Sequence, residues 1–231
     1  MMMRAADLCV LSGLGDLAQI ARDAGARSVV YAPQPYDTRR FGQPWTPDTG
    51  PRRFDALMIG NRIRRPKIAP FVHLPGGRKR DRLARAMHRA FGARFGVYGH
   101  NWTSAFGALG PLPFDAQEPA IRSAWMTVNW DHFDDIPYYF SDRLAFSLAA
   151  GVPHVTNYHE GYEHLFRGCE GLYFVRSVPE VVEVARWLNS LPRARLNELG
   201  ARGAAFAREH LEATGVYRSV VQVIRERLFE R

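Results

Sequence analysis

Residues 124–157, AWMTVNWDHFDDIPYYFSDRLAFSLAAGVPHVTN, contain a complete strand–helix–strand unit. The run AWMTVNW at 124–130 is almost wholly apolar, which predicts a strand buried on both faces. Residues 141–150 begin with a serine suited to N-capping and carry apolar residues at helical spacing, so they predict a helix. A Gly-Val-Pro turn follows, and VPHVTN at 152–157 predicts the second strand.

The same alternation extends in both directions along the chain. FDALMIG at 54–60, RFGVYG at 94–99 and LYFV at 172–175 predict further strands. Helical periodicity occurs at 80–91, 115–123 and 160–166, and in three segments that begin near residues 179, 192 and 214. Alternating helices and strongly apolar strands predict an α/β fold with a doubly wound, Rossmann-like parallel sheet.

The first 53 residues have a different character. DLCVLSG at 7–13, a helical pattern at 16–26 and SVVYAP at 28–33 predict one small βαβ unit. Residues 33–53 contain five prolines and little periodicity, which predicts an extended linker. The predicted organisation is a partial βαβ unit at 1–33, a Pro-rich linker at 34–53 and a Rossmann-like domain at 54–231. Because so small a βαβ unit buries little apolar surface, we expect it to pack on the main domain, another subunit or a further N-terminal portion.

Positive charge is concentrated in one part of the sequence. The formal net charge is +8, but residues 52–94 contain eleven Arg and two Lys against two Asp, a local balance of +11. Such a patch indicates an anionic partner, which is a nucleotide diphosphate, a membrane surface or nucleic acid. The alternative is a solvated face. We favour that alternative for residues 82–89, because Leu83 and Met87 share one stripe of an amphipathic helix.

The cysteines and the hydropathy of the sequence indicate the cellular compartment. Cys9 and Cys169 lie far apart in the sequence, which predicts neither a disulfide framework nor a metal-ligand cluster and favours a reducing compartment. No run of 18 apolar residues occurs, and the first residues lack the apolar core of a signal peptide. We therefore expect a cytoplasmic protein, with peripheral contact to a membrane surface as an alternative.

Polar residues follow the predicted strands, at the sheet edge where α/β proteins bind their ligands. Gly60, Asn61 and Arg62 follow the strand at 54–60, and further basic residues at 64–67 are suited to neutralise phosphate. GHNW at 99–102 follows the next strand. Two interpretations of this turn stay open: a ligand-facing turn, or a loop whose tryptophan packs over the core.

The loop after the strand at 124–130 is the richest in candidate groups. Six aromatic residues between 125 and 140 offer flat surfaces for a base or sugar, and the loop's carboxylates can accept hydrogen bonds from hydroxyls. Asp131, His132 and two further aspartates lack the spacing of a helical metal motif, so we expect no metal. The helix that follows opens with Ser141-Asp142-Arg143, where free backbone amides and Arg143 predict an anion site suited to a diphosphate.

Taken together, residues 54–231 resemble the C-terminal halves of GT-B glycosyltransferases, especially glycosyltransferase group 1, the spore-maturation-protein type. The shared features are a strand ending in Gly-Asn, the GHNW turn and a strand ending in an asparagine. They continue with the Arg143 helix, which runs into Ala-x-Gly-x-Pro, the Glu-rich turn HEGYEHLF at 159–166, and paired C-terminal helices. Tyr138 and Phe146 stand where retaining relatives have two glutamates, which is a departure from the pattern.

The resemblance implies a nucleotide-sugar as donor substrate, no other cofactor and an acceptor of unknown identity. It implies that residues 1–33 are the end of an acceptor domain, so we expect the chain to bind donor yet transfer sugar poorly, unless an oligomer or a missing N-terminal domain completes it. No catalytic residue is assigned. The implied donor-binding residues are Gly60, Asn61, Arg62, His100, Asn101, Trp102, Asn129, Asp131, His132, Ser141, Asp142, Arg143 and Glu163. The alternative function is a noncatalytic module whose basic patch at 52–94 binds nucleic acid, which we consider the weaker case, or anionic lipid.

Overall fold

A computed structural model describes residues 6–41, 50–63 and 76–228. Its N-terminal part is a two-stranded parallel sheet of β1 (Leu8–Leu11) and β2 (Ser28–Tyr31), with α1 (Asp16–Asp23) between the strands. These are the elements predicted for the βαβ unit.

The main sheet has six strands: β3 (Phe54–Ile59), β4 (Phe95–Tyr98), β5 (Ala108–Gly110), β6 (Ala124–Val128), β7 (His154–Asn157) and β8 (Leu172–Val175). Their order across the sheet is β5-β4-β3-β6-β7-β8, and every neighbouring pair is parallel. The order reverses between β3 and β6, which is the place where open α/β sheets bind ligands. The predicted α/β class with a doubly wound parallel sheet is confirmed.

Helices cover both faces of this sheet: α2 (Thr38–Phe41), α3 (Gly77–Phe91), α4 (Gln117–Arg122), α5 (Asp142–Ala149), α6 (Tyr162–Leu165), α7 (Val178–Ser190), α8 (Arg193–His210) and α9 (Ala213–Leu228). Side chains of β3 alternate between the faces, so Ala56 and Met58 pack with α3 and α7 while Leu57 belongs to a separate cluster. On the other face α5 packs against α8. Among the described helices, none is long and apolar enough to cross a bilayer.

The Pro-rich segment differs from its prediction. We expected residues 34–53 to run extended, but Thr38–Phe41 forms a helical turn, and Tyr36 and Phe41 are buried in the same cluster as α5. The Phe41 ring stacks on Phe146 of α5 with 4.6 Å between ring centroids. Aromatic anchors therefore override the extended preference of the prolines. Residues 42–49 lie outside the described ranges.

Strand β5 was missed by the sequence analysis. It has only three residues, two of them Ala108 and Gly110, and this composition carries no strand pattern. Its pairing with β4 is what places it in the sheet.

His154 of β7 gives the fold a dependence on acid pH. The ring is buried, its Nδ1 lies 2.8 Å from Thr127 Oγ1, and burial lowers the pKa to about 4. The unfolded chain takes up a proton near pH 6.5 while the folded state does not, so the free energy of unfolding falls between pH 6.5 and 4. We expect His154→Gln to reduce this fall by about 1 to 3 kcal/mol in urea titrations, while the half-exposed His210→Gln leaves it unchanged. Equal pH slopes in all three proteins would show that His154 does not titrate in this way.

Candidate functional site

Four segments meet where the strand order reverses. Gly60 directly follows β3, and its amide donates to the Tyr98 carbonyl of β4 at 2.9 Å. Trp102 Nε1 donates to the Gly60 carbonyl at 2.6 Å. A Cβ built on Gly60 would overlap Arg80 Nη2 of α3 and would lie 3.1 Å from Arg143 Nε of α5. Because Gly60 also has a φ of +150°, no other residue fits there without displacing the two guanidinium groups.

The loops that follow β3 and β4, both predicted to face a ligand, are hydrogen-bonded to each other. Asn61 Oδ1 accepts the His100 amide at 2.9 Å, and Asn101 Nδ2 donates to the Arg62 carbonyl at 3.0 Å. The Arg62 guanidinium pairs with Asp81 of α3, with 2.6 Å between Nη2 and Oδ2. These side chains fix the loops after β3 and β4 relative to α3. The basic residues predicted at 64–67 lie outside the described residues.

Trp102 supports the second of the two interpretations of its turn. The side chain is 9% exposed, belongs to the main core cluster and packs edge-to-face on Phe106 at 5.2 Å between centroids. Its role is therefore to hold the Gly60 carbonyl while filling the core, and a stacking role toward a nucleotide base loses support.

Arg80 and Arg143 form the centre of the candidate site, which we call the arginine cradle. Arg80 is 2% exposed, and Nη1 donates to the Trp130 carbonyl at 3.1 Å. Within the described residues, Arg80 Nε and Nη2 and Arg143 Nε are buried without a hydrogen-bond partner. Burial, followed by the positive charge of Arg143, lowers the pKa of Arg80 to about 9. A buried cation such as Arg80 with unused donors is costly unless an anion joins it, so the cradle is suited to bind one.

His132 adds a titratable group next to the cradle. Burial first, and then the positive charge of Arg80, lower the pKa of His132 to about 4. Its Nδ1 is buried and has no hydrogen-bond partner among the described residues. The imidazole is therefore neutral at pH 7 in the unliganded protein, and an anion nearby would raise its pKa.

Asn129 and Asp131 are turned inward. Asn129 Nδ2 donates to Asp131 Oδ1, and the Asp131 amide donates to Asn157 Oδ1, both at 2.7 Å. His159 Nδ1 lies 2.9 Å from the Ile136 carbonyl, and its Nε2 lies 2.8 Å from Asn157 Nδ2 and 3.2 Å from Asp131 Oδ2. Asp131 is 2% exposed. This network positions the backbone of residues 129–132 and leaves little of the Asp131 carboxylate for a ligand.

The start of α5 brings Ser141, Asp142 and Arg143 together at the N-terminus of the helix. Ser141 is the N-cap residue, and its hydroxyl accepts no hydrogen bond from the described first-turn amides but accepts one from Arg143 Nη1 at 3.3 Å. Asp142 lies 3.5 Å from the Arg143 guanidinium and is partly exposed. The positive end of the helix dipole and Arg143 therefore act on the same volume.

Glu163 lies apart from these groups. It is exposed on α6, and its carboxylate accepts from the Tyr158 hydroxyl at 3.1 Å. Hydrogen bonding by its own backbone amide is the main cause that lowers its pKa. The implied donor contact of Glu163 thus remains a prediction.

The sequence analysis missed Arg80 and Gly76. Arg80 lies on the buried stripe of α3 with Leu83, Ala84 and Met87, and an arginine on an apolar stripe is the signal that could have found it. Gly76 precedes α3 and its amide donates to the His132 carbonyl at 2.7 Å. Nothing in the local pattern marks that contact, which joins segments 56 residues apart. In the described ranges no group of three His, Cys, Asp or Glu residues is placed to hold a metal ion.

The six-stranded parallel sheet, the small second sheet and the ligand edge define an α/β protein with the GT-B glycosyltransferase fold. Sucrose-phosphate synthase from Thermosynechococcus elongatus has a TM-score of 0.61 at 12% identity, and the match covers 97% of this chain and 59% of that one. Anabaena Alr3699/HepE, solved with UDP and glucose, has a TM-score of 0.61 at 12% identity, and the match covers 95% of this chain and 63% of that one. A mutant of T4 phage BGT in complex with UDP-glucose has a TM-score of 0.60 at 11% identity, and the match covers 96% of this chain and 62% of that one.

Residues 78–224 match the model of the family described as glycosyl transferase-like, and the chain belongs to that family. Comparison with curated protein sequences finds no match. The chain spans less than two thirds of the length of the structures that it resembles.

Proposed function

We propose that this chain is the donor-binding part of a glycosyltransferase, corresponding to the C-terminal half of a GT-B enzyme of the group 1, spore-maturation type. A nucleotide-sugar would lie at the strand reversal, with its diphosphate between Arg80, Arg143 and the first turn of α5. The observation that carries this proposal is the buried Arg80 guanidinium beside the half-buried Arg143, with unused N–H donors of both directed at Gly60. The UDP and UDP-glucose complexes of HepE and the phage BGT mutant agree with this class of donor.

The proposed chemistry is stabilisation of the leaving diphosphate. When the bond from the anomeric carbon to the diphosphate breaks, negative charge develops on the diphosphate oxygens. Arg80 is already desolvated and Arg143 is held beside it by Ser141 and Asp142, so the two can stabilise that charge with little reorganisation. Because the chain spans less than two thirds of its structural neighbours, we place only donor binding here and propose that the acceptor binds against a further domain or subunit.

The compartment is part of the same proposal. Cys9 and Cys169 are both free thiols. Nucleotide-sugars as donors and unpaired cysteines fit a reducing environment, so we propose a cytoplasmic location.

Replacing Arg143 with alanine tests the proposed diphosphate contact. We expect Arg143→Ala to weaken nucleotide-sugar binding by about 1.5 to 3 kcal/mol, since it removes a charge-assisted hydrogen bond. The arginine is partly exposed, so stability should change little. Arg225→Ala, an exposed position on α9, is the matched control and should leave calorimetric affinity unchanged. Unchanged affinity in Arg143→Ala, together with a clearly lower free energy of unfolding, would make Arg143 a structural residue.

The neutral state of His132 predicts a pH dependence of donor binding. A bound diphosphate raises the pKa of His132 from about 4 toward its ordinary value, so binding takes up a proton. Affinity for a nucleotide-sugar should therefore increase from pH 7.5 to 5.5, by about tenfold where the pKa returns fully to its ordinary value and by less for a smaller return. We expect His132→Asn to remove this increase in calorimetric titrations. An equally steep increase in that variant would assign it to another group.

A further inference from the structure

A cationic groove lies between α3 and the start of α7. Its volume is about 480 Å³, within the range of pockets that hold small ligands. Described residues that line it are Lys79, Arg82, Ala86, Arg89, Trp130, Arg176, Ser177, Val178 and Pro179. Four of these are cationic and, among the described lining residues, none is acidic.

The cations of the groove are arranged along a line. Lys79, Arg82 and Arg89 occupy one stripe of α3, and the ten-residue step from Lys79 to Arg89 rises about 15 Å along the helix axis. Arg176 faces them from the end of β8, with its guanidinium 3.9 Å from the centre of the Tyr158 ring. A ligand with several negative charges in series would match this arrangement better than one small anion.

Two of these four cations are not used within the described part of the protein. Arg82 and Arg89 are exposed and make no hydrogen bond or ion pair with any described residue. Asp134 Oδ2 forms an ion pair with Lys79 Nζ at 2.8 Å. The Asp134 side chain is only 7% exposed. Glu180 and Glu163 are further carboxylates near Arg176. Glu180 is held at the start of α7 by the Arg176 amide and the Ser177 hydroxyl, and Glu163 accepts from the Tyr158 hydroxyl. The net field in the groove is therefore positive.

The groove is separate from the arginine cradle. The two sites use opposite sides of one backbone segment, because the Trp130 carbonyl accepts from Arg80 while the Trp130 ring lines the groove. Trp130 is 2% exposed, so no large aromatic projects from the groove for insertion into a bilayer. Concave shape and a buried aromatic favour an extended ligand over a membrane surface.

We propose that this groove is a second anion-binding site that holds a chain of linked phosphate groups. The phosphates would pair with Arg82, Arg89 and Arg176, with the Trp130 ring beneath. The proposal does not depend on nucleotide-sugar binding at the cradle. From the basic segment at 52–94, the proposal assigns anion binding to residues on one face of α3. Arg62 and Arg94 of the same segment instead form ion pairs with Asp81 and Asp55.

The test compares two matched pairs of arginines on α3, using fluorescence polarisation of labelled short inorganic polyphosphate. Arg82→Gln/Arg89→Gln removes two charges seven residues apart inside the groove. Arg78→Gln/Arg85→Gln removes two charges with the same spacing from exposed positions that do not line it. We expect the first pair to weaken binding about tenfold or more and the second by much less. Nucleotide-sugar affinity should stay unchanged in both.

Three results would overturn the proposal. Equal losses in the two double variants would mean that the net charge of α3 attracts polyphosphate without a site. Displacement of polyphosphate by excess nucleotide-sugar would place it in the cradle. Absence of polyphosphate binding to the wild-type protein, with binding to vesicles of anionic phospholipid that the Arg82/Arg89 pair abolishes, would identify a membrane contact instead.

Discussion

Arg80→Met should raise stability while it abolishes donor binding. The substitution removes a buried charge that has one hydrogen bond, to Trp130, and a like charge beside it in Arg143. Methionine fills a similar volume without polar atoms, so we expect a gain of about 1 to 3 kcal/mol in the free energy of unfolding. Affinity for a nucleotide-sugar should fall by about 100-fold or more, because two donors to the diphosphate are lost.

Arg80→Lys is the control for charge alone. Lysine keeps the positive charge but lacks the planar fork of N–H donors. We therefore expect the affinity of the lysine variant for a nucleotide-sugar to lie between those of the wild type and the methionine variant. Urea unfolding and calorimetric titration measure the two effects separately. A methionine variant that is destabilised and still binds the donor normally would show that Arg80 serves the fold and not the ligand.

Gly76→Ala should be the most damaging single-methyl change at the site. A Cβ there would overlap the carbonyl oxygen of Asp131 and lie 3.2 Å from the Cα of His132. Both obstacles are backbone atoms, so the start of α3 must move away from residues 131–132. We expect a loss of about 2 to 3 kcal/mol in stability and weaker donor binding, since Arg80 moves with the helix.

Gly215→Ala is the matched control because nothing lies within 4 Å of the Cβ that it would add in α9. This change should be neutral or stabilising by about 0.5 to 1 kcal/mol, as expected for alanine in a helix. Similar urea midpoints for the two variants would contradict the close contact at Gly76.

Five of the six strands of the main sheet were predictable because they lie in apolar runs separated by helical patterns. Period and composition are local properties, so FDALMIG and AWMTVNW predict β3 and β6 directly. Strand β5 was not predictable because three small residues acquire strand structure only through pairing with β4. The helical turn at Thr38–Phe41 depends on Phe41 stacking against Phe146, a contact between distant parts of the sequence.

The site was predictable to the level of segments and less so for side chains. The rule that ligands lie beyond strand ends identifies Gly60 and the start of α5, and the two are in contact. Which polar side chains face inward is decided by tertiary hydrogen bonds, so Asp131 in its network with Asn129 and Asn157 could not be told from a free carboxylate. Arg80 was hidden because a single arginine in a basic segment is indistinguishable from its exposed neighbours until the helix face is known.

Donor binding is tested most directly by thermal unfolding with a panel of nucleotide-sugars, in the wild type and in Arg80→Met. At 100 times its dissociation constant, a bound donor stabilises a protein by about 2.7 kcal/mol. For a chain of this size that is a rise of about 5 to 10 °C in the midpoint. We expect at least one of the uridine, guanosine, thymidine, adenosine and cytidine diphosphate-sugars to give this rise in the wild type and none to do so in Arg80→Met. No rise with any of the five in well-folded wild-type protein would contradict the donor site.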